Sequence, residues 1–435
     1  MRQPSDTHQP AFRFAQSVAS KTALVTALGL ALVACGSGGG SSDSEVAPVA
    51  ANPSVNTPSN TTASSTVGTA VTPTDSTPVT ADNTPTIPAV SVTETTTPTT
   101  AQAVNPTPVV VGSGQQAALQ LLSDNRQNCG FGALTSHPNL TISADNHANY
   151  LAWLSQSNRQ PIATHHETVL QDAQGNTIVD SGITNPYFTG NDVGTRLNPT
   201  TLGARATPTT YNAYRGFVGE SLAIANFGST GGYPALDSAA NAKDLLTGLL
   251  AAPYHVRGMV HPWFSEIGVS YAEVQWDKIE PQIDNRTYYY TQSILELVLS
   301  LPANAALHTP NSVLSYPCEG SVTAYELTHE EPNPFGNTRD LSQRPIGQPI
   351  YILAPENKTV QAVSASLSQN GQNVGFMHTL TKDNDPNRLL EANEVILMPD
   401  TPLQPDTVYQ ARYDLTFSDG ERISKQFTFR TKAKG

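Results

Sequence analysis

The sequence is short of cysteine, of positive charge and of long apolar runs. It has three cysteines, and its 23 Lys and Arg residues face 36 Asp and Glu residues, which gives a formal net charge of −13. Binding to nucleic acid or to anionic lipid surfaces depends on clustered Lys and Arg. The charge balance therefore excludes nucleic acid as a partner. Beyond residue 34 no run is long and apolar enough to predict a membrane-spanning helix.

Two catalytic patterns are also missing from the sequence. No H-E-x-x-H stretch is present to bind zinc from one helical face, and no G-x-S-x-G stretch is present to expose a nucleophilic serine. No serine or cysteine stands as an evident partner for a histidine. The sequence therefore contains no strong motif for a serine, cysteine or zinc hydrolase.

The N-terminus indicates export. Basic residues precede the apolar stretch TALVTALGLALVA, which is too short to span a membrane and predicts a signal peptide over residues 1–35. The small residues before Cys35 resemble the bacterial lipobox, so Cys35 is predicted to carry a lipid anchor. The alternative is an ordinary signal peptide with an incidental cysteine. No aspartate follows Cys35 to favour the inner membrane, so we expect an outer-membrane lipoprotein, periplasmic or surface-exposed.

Residues 36–112 differ in composition from everything that follows. They contain no aromatic residue and no Leu, Lys or Arg, and are built almost entirely from Thr, Pro, Ser, Ala, Val, Gly and Asn. Such a segment cannot bury enough apolar surface to offset its chain entropy, which predicts a disordered linker. As a coil it would average about 50 Å between its ends. The linker would hold the following domains well away from a membrane.

Two cysteines remain if Cys35 is lipidated. Cys129 and Cys318 lie in an exported chain, where an oxidising compartment favours a disulfide between them. Buried free thiols are the alternative. A bridge between these two would join the start of the first predicted domain to its end.

The rest of the chain predicts two domains, one over residues 113–318 and one over residues 319–435. In the first, apolar residues at helical spacing predict a helix that ends near Cys129, a second with Ser143 as its N-cap, and a third with Asp237 as its cap. Alternation from Ile267 to Tyr271 and the stretch RTYYYTQSILELVL predict two paired strands. About eighty residues between the second and third helices predict functional loops or disorder.

The second domain has short β-branched and aromatic runs separated by Pro, Asn, Asp and Gly. Five of them predict strands: QPIYILAP, VQAVSASL, EVILMP, TVYQARYDLTF and ISKQFTFRT. Such spacing predicts an all-β sandwich, and PLQPDTVYQARYDL is similar to the late strands of bacterial Ig-like modules. With no catalytic constellation in it, this domain is interpreted as a structural or spacer module.

Three stretches of the first domain carry polar residues that a core does not require. They are ATHHET with His165 and His166, FVGESLA with Glu220, and APYHVRGMVHPWFSEIGVS with His255 and His261. Each has an ordinary alternative: a solvated turn, an acid at a helix N-terminus, or a cation at a helix C-terminus. Two residues six positions apart lie about 240° apart around a helix. His261 is therefore interpreted as a loop histidine and His255 as the candidate site residue.

The order of these stretches resembles the CAP/SCP superfamily, in its bacterial secreted branch. The likeness covers roughly residues 114–300 and rests on the helical LLSDNRQNCGFGAL region, on HHE followed by PYFTGNDVGTR, on FVGES and on APYHVRGMVHPWFSEIGVS. It implies an α+β fold, a CAP-type α-β-α sandwich, followed here by the Ig-like sandwich. It also implies a central cleft lined by His and Glu side chains.

The resemblance implies a cleft formed by Glu220, His255 and His165, with His166 as the alternate histidine. The family's second glutamate has no clear match, because only Asp237 and Asp244 occur between Ser221 and Tyr254. Two imidazoles and one carboxylate would form three sides of a metal site, with zinc as the possible ion at His165, Glu220 and His255.

Three functions remain open at this level. The first is a non-catalytic, envelope-anchored binding module for a lipid, glycan, protein or cell-wall ligand. The second is a metal-assisted hydrolase that cleaves peptide or ester bonds with the His and Glu cleft. The third is an envelope spacer whose histidines only satisfy a loop. The missing second carboxylate favours the binding module.

Overall fold

The computed structural model describes nine segments of the chain. They are residues 112–167, 170–171, 177–179, 185–190, 192–197, 214–281, 283–302, 308–375 and 377–434. The predicted signal peptide, Cys35 and the linker up to residue 111 lie outside the described residues. Within the described residues no helix has both the length and the apolar character needed to cross a membrane.

Five helices and fifteen strands are found in the described residues. The helices are α1 (Ser113–Asn128), α2 (Pro138–Asn158), α3 (Val193–Arg196), α4 (Ser238–Leu249) and α5 (Pro253–Val260). The strands before residue 303 are β1 (Thr135–Ser136), β2 (Leu170–Gln171), β3 (Thr177–Val179), β4 (Tyr214–Ser229), β5 (Glu266–Glu280) and β6 (Arg286–Pro302). Later strands are β7 (Leu314–Tyr316), β8 (Ser321–Thr323), β9 (Ile350–Leu353), β10 (Val360–Gln369), β11 (Gln372–Asn373), β12 (Met377–Thr381), β13 (Glu394–Pro399), β14 (Val408–Phe417) and β15 (Arg422–Thr431).

The strands form four sheets. The first has the order β1-β5-β6-β4, and β5 and β6 pair as a long antiparallel hairpin from Glu280 and Arg286 at its turn. The later strands form one sheet in the order β11-β10-β14-β15-β8 and another in the order β12-β13-β9-β7, and β2 pairs with β3. The five strands predicted after residue 319 are all present, at β9, β10, β13, β14 and β15.

The predicted fold class, a CAP-type α-β-α sandwich followed by an Ig-like sandwich, is wrong. Strands make up 36% of the structure and helices 22%, so the protein is mostly β-sheet with several sheets and few helices. The sequence analysis missed β4, which lies in the segment predicted as loop. From Val218 to Ser229 it pairs with β6 in a continuous antiparallel register, after a register shift between Tyr214 and Val218. Alternating small and apolar residues in ESLAIANF support a strand with two buried faces.

The predicted helix starts had different outcomes. The third predicted helix is α4, and the Asp237 carboxylate caps it by accepting from the backbone N–H groups of Ala239 and Ala240, both at 3.1 Å. The predicted cap of the second helix is wrong. Helix α2 begins six residues earlier than predicted, with His137 as N-cap and Pro138 in its first turn, and Ser143 lies buried inside it.

The predicted disulfide is confirmed. Cys129 at the end of α1 is bonded to Cys318, 189 residues later in the chain. Strand β7 precedes Cys318 but pairs with β9, so the chain has already joined the later sheets before the predicted boundary at residue 318. The domain boundaries themselves stay a prediction.

A buried arginine fixes the stretch between α5 and β5. Arg126 in α1 is fully buried and donates to the carbonyls of Met259 (2.8 Å), His261 (3.1 Å) and Phe264 (2.8 Å). The last backbone carbonyls of a helix have no partner within the helix and need donors of this kind. Ile267, near the start of β5, is fully buried.

Candidate functional site

Three core elements position a buried polar cluster on one face of the first sheet. Strands β4 and β6 pair Glu220 with Val298 and Leu222 with Glu296. Because residues two apart in a strand share a face, Glu220 and Glu296 lie diagonally on the same face. Helix α2 packs over this face and adds His147, whose neighbours Ala144 and Leu151 lie three and four residues away on the same helical side.

The imidazole of His147 lies between the two carboxylates. Its Nδ1 is 3.3 Å from Oε1 of Glu296 and 3.7 Å from Oε1 of Glu220, and all three side chains are fully buried. We call His147, His165, Glu220 and Glu296 the sheet cluster. In it, His165 Nδ1 lies 2.6 Å from Oε2 of Glu220.

Two further buried charges surround the sheet cluster. The Arg196 guanidinium donates to Oε1 of Glu220 and, at 3.0 Å, to the His165 carbonyl. Its Nε also lies 3.8 Å from the Glu167 carboxylate. Glu167 accepts the backbone N–H groups of Thr189 (2.6 Å) and Gly190 (3.2 Å). Two carboxylates, Glu167 and Glu220, therefore share one guanidinium.

The pKa values of Glu220 and Glu296 are shifted in opposite directions. Burial opposes ionisation of Glu220, but Arg196, then His147 and His165, hold its pKa well below the usual range. Burial, followed by the charge of Glu220, raises the pKa of Glu296 well above its usual range. The pair therefore holds one proton, on Glu296. Burial also raises the pKa of Glu167 to about 7.

The His147 imidazole is neutral. Burial, and then the charge of Arg196, lower the pKa of His147 well below its usual range, because both disfavour the positively charged, protonated ring. A neutral imidazole is the form that binds metal ions. Its Nδ1 faces two carboxylates.

Several buried polar atoms of this region have no hydrogen-bond partner among the described residues. They are both ring nitrogens of His147, Nε2 of His165, Nε of Arg196, the hydroxyl of Tyr150 and both carboxylate oxygens of Glu296. Tyr150 stacks beside His147 with ring centroids 6.3 Å apart. Native proteins rarely leave buried polar atoms unpaired, and a concentration of them is typical of a site for water or an ion.

His147, Glu220 and Glu296 could hold a metal ion. One ligand atom from each lies within 4.8 Å of the other two. In a tetrahedral site with bonds of about 2.1 Å, neighbouring ligand atoms are about 3.4 Å apart. The two distances from His147 Nδ1 are 3.3 and 3.7 Å, so the donors stand at metal-binding spacing. Glu220 would share Oε1 between the ion and Arg196.

The structure brings together two of the predicted site residues and separates the others. His165 and Glu220 are in direct contact in the sheet cluster. His166 is exposed at the next position, and its backbone N–H donates to the hydroxyl of Thr164 at 3.1 Å. His255 is not brought to the cluster, so the three predicted metal ligands His165, Glu220 and His255 do not form one site.

His255 instead takes part in a second buried set of charges. Helix α5 presents it to Glu330, with Nδ1 at 3.1 and 3.3 Å from the carboxylate oxygens, and the same carboxylate accepts the backbone N–H of Tyr254 at 2.9 Å. Glu330 thereby caps the first turn of α5. Arg257, one turn later, donates from Nε to both oxygens of Glu394 at 2.9 Å.

The tyrosine between these contacts completes the set. The hydroxyl of Tyr254 lies 2.5 Å from Oδ1 of Asp385. We call Tyr254, His255 and Arg257 with Glu330, Asp385 and Glu394 the α5 clamp. It joins α5 to the region after residue 318.

His261, predicted as a loop histidine, is buried. It ends α5, its Nδ1 accepts the backbone N–H of Trp263 at 3.3 Å, and its side chain is 4.6 Å from the Trp263 ring. Burial, then Arg257 and Arg126, lower its pKa to about 3. The side chain therefore packs as a neutral ring.

Sequence analysis missed His147 and Glu296, and it included Glu167 and Arg196 only within the HHE and PYFTGNDVGTR stretches that carry the resemblance. A signal existed for the first two. His147 interrupts the apolar stripe of α2, and Glu296 is the only acid in the apolar stretch SILELVLSL. The second carboxylate was sought on the helix after Glu220, whereas the structure supplies it from β6. No local pattern pairs β4 with β6, because they are separated by two helices and β5.

No protein-family model matches the chain, and no curated protein matches it. Among solved structures, the chain is similar to CopC from Methylosinus trichosporium OB3b, with 14% identity over 29% of this chain and 97% of that one, at a TM-score of 0.19. It is also similar to PcoC, a methionine-rich copper resistance protein from Escherichia coli, with 19% identity over 27% of this chain and 93% of that one, at a TM-score of 0.19. Likenesses this weak support no conclusion about fold or function. The resemblance to the CAP/SCP superfamily stays a prediction.

Proposed function

We propose that the chain is an envelope-anchored binding protein whose sheet cluster holds a divalent metal ion through His147, Glu220 and Glu296. The observation that carries the proposal is the spacing of the three ligand atoms around an unpartnered imidazole nitrogen. Imidazole with carboxylates suits Zn²⁺, and also Cu²⁺ and Ni²⁺. Zinc is the first candidate.

The charge count of the region supports a divalent ion. Glu167, Glu220 and Glu296 carry three negative charges when ionised, and Arg196 carries one positive charge, so two negative charges remain. Unbalanced charge is costly in a buried site. A divalent ion would balance the set, and in its absence Glu296 keeps a proton.

Burial favours binding over catalysis. His147, Glu220 and Glu296 are fully buried, so a peptide or ester substrate cannot reach an ion that they hold without movement of the covering residues. In this proposal the ion fixes α2 to the sheet and so shapes the surface that a lipid, glycan or protein ligand would contact. A lipid on Cys35 and the linker 36–112 would hold this domain at the outer membrane.

The test measures the metal content of the purified full chain, and then its affinity for metal ions after chelator treatment. We expect the wild type to retain one Zn²⁺ per chain by elemental analysis, and we expect Glu296→Gln to bind at least about a hundredfold more weakly by calorimetry. Glu273→Gln is the matched control, because it makes the same change at an exposed acid of β5. Substoichiometric binding of Zn²⁺, Cu²⁺ and Ni²⁺ by the wild type would contradict the proposal.

A metal-assisted hydrolase is the second candidate. The buried Tyr150 hydroxyl and His165 Nε2, both without a hydrogen-bond partner in the described part of the chain, would be able to orient a metal-bound water. This function requires chelator-sensitive cleavage of a peptide or ester by the zinc-loaded protein. Cleavage that persists in Glu296→Gln, or that chelator does not slow, would exclude it.

A further inference from the structure

Glu167 is a buried carboxylate that metal binding by the sheet cluster does not use. Its Oε2 accepts the backbone N–H groups of Thr189 (2.6 Å) and Gly190 (3.2 Å), and the Thr189 hydroxyl donates to Oε1 at 3.3 Å. The side chain is fully buried. It therefore ties together two segments that are more than twenty residues apart in the chain.

These segments cover the sheet cluster. We call residues 165–167, 185–190 and 192–197 the strap. From the strap, His165 and Arg196 both reach Glu220, and Arg196 also donates to the His165 carbonyl. The strap thus lies directly against one of the proposed metal ligands. Because the site is fully buried, an ion can enter it only when some of the covering residues move.

Among the described residues around the sheet cluster, the strap has fewer buried apolar residues than the core elements. Helix α2, β4 and β6 are held by continuous buried apolar residues. In the strap, Leu197 is buried near Leu140 and Ala144, and Tyr187 and Val193 are partly buried against the core, whereas Thr189 and Gly190 are held by hydrogen bonds to the Glu167 carboxylate. Segments with few buried apolar contacts open at low free-energy cost.

Gly190 makes the contact with Glu167 sterically feasible. At φ 154°, a Cβ atom at this position would lie 2.9 Å from the backbone nitrogen of Arg196 and 3.0 Å from the carbonyl carbon of Thr195. Only glycine allows the chain to fold back so closely on α3 while it presents its N–H group to Glu167.

We infer that Glu167 is a latch whose hydrogen bonds to Thr189 and Gly190 set the rate at which the metal ion enters and leaves the sheet cluster. The inference rests on the proposed metal site, and it assigns Glu167 a role in the rate of metal exchange in addition to its share in the charge of the region. Opening the latch releases Thr189 and Gly190, and the ligands His147 and Glu296 stay on the core elements. Glu167 is in this sense a positioning residue for the strap.

The experiment compares zinc exchange in the full-length wild type and Glu167→Ala. Zinc release into excess chelator and zinc uptake are followed by stopped flow, and affinity is measured at equilibrium. Loss of two charge-assisted hydrogen bonds should accelerate both release and uptake by roughly tenfold or more. Loss of the Glu167 charge by itself would weaken binding and would not accelerate uptake, so faster uptake is the result specific to the latch. Equal rates in the two proteins would overturn the inference.

Two controls keep the result interpretable. Asp237→Ala also removes a carboxylate that accepts two backbone N–H groups, but at the start of α4, and should leave both rates unchanged. The second control uses the wild type alone and so does not depend on whether a variant folds. In the wild type, hydrogen exchange of the Thr189 and Gly190 amides should occur at a rate no slower than zinc release. Slower amide exchange than zinc release would contradict the latch. Absence of any bound zinc in the wild type would instead contradict the proposed function itself.

Discussion

The sheet cluster and the α5 clamp are both buried sets of histidine and glutamate, and they differ in how their charges are matched. In the α5 clamp, Glu394 receives Arg257 and the Tyr351 hydroxyl (2.6 Å), and Glu330 receives His255 and a backbone N–H group. Around the sheet cluster, Glu167 and Glu220 share Arg196, and neither oxygen of Glu296 has a hydrogen-bond donor among the described residues.

The difference separates a structural role from a binding role. A buried carboxylate that is matched by its own cation and hydrogen bonds holds two parts of a fold together. A buried set with excess negative charge and unpartnered imidazole nitrogens requires protons or an ion. The residue types are the same, so composition alone does not distinguish them.

The largest effect should come from the disulfide that links the end of α1 to the segment between β7 and β8. Replacing Cys129 and Cys318 together by serine should lower the free energy of unfolding by about 5 kcal/mol, because the cross-link closes a loop of 189 residues. Urea unfolding of the oxidised wild type and the double variant measures this loss. Zinc affinity of the folded variant should stay unchanged, and a large loss of affinity would show that the two regions are not as separate as the comparison holds.

A smaller effect should follow from breaking the α5 clamp. Arg257→Leu leaves the Glu394 carboxylate buried without its cation and should cost about 3 kcal/mol of stability. Arg412→Leu is the matched control, because Arg412 pairs with Asp414 at the surface, where such pairs contribute less than about 1 kcal/mol. Equal losses in the two variants by urea unfolding would mean that the clamp does not stabilise the fold.

The smallest effect is the pH dependence of stability that comes from Glu167, beside the sheet cluster. Burial raises the pKa of Glu167 from its ordinary 4.5 to about 7, so the folded protein binds this proton more tightly than the unfolded chain. Stability from this group is therefore fully present below pH 4.5 and is lost as the pH rises through about 7. Without metal, the wild type should lose on the order of 2 kcal/mol over this range relative to Glu167→Gln.

This pH effect is measured by thermal unfolding in chelator between pH 4.5 and 8. Glu167→Gln keeps an acceptor for the Thr189 and Gly190 N–H groups but cannot titrate, so the difference between the curves isolates the carboxylate. Parallel curves would show that Glu167 is not held in a protonating environment. The Arg412→Leu variant should follow the wild type throughout.

Part of this site could be read from the sequence. His165 and Glu220 were singled out from ATHHET and FVGESLA, and they are in contact. Asp237 was predicted as a cap because an acid directly precedes an apolar helical stripe, and this is confirmed. Local patterns of this kind depend on neighbours within a few residues, so the sequence displays them directly.

The remainder of the site depends on pairing between distant segments. An acid within SILELVLSL predicts a half-buried strand face as readily as a site residue, and only the register of β6 against β4 places Glu296 beside Glu220. The same holds for His255, which has the chemistry of a site residue but meets Glu330 of a later segment. Its place in the fold is set by α5, not by its residue type.

The sequence by itself determined the disulfide, the cap of α4 and the strands after residue 319, because spacing, composition and turn residues act over short distances or through a forced choice of partner. Only the tertiary structure decided the mostly β fold and the division of buried histidines and glutamates into two sets. The physical reason is that strand register and burial, which no local pattern fixes, determine which carboxylates receive a cation and which must share one.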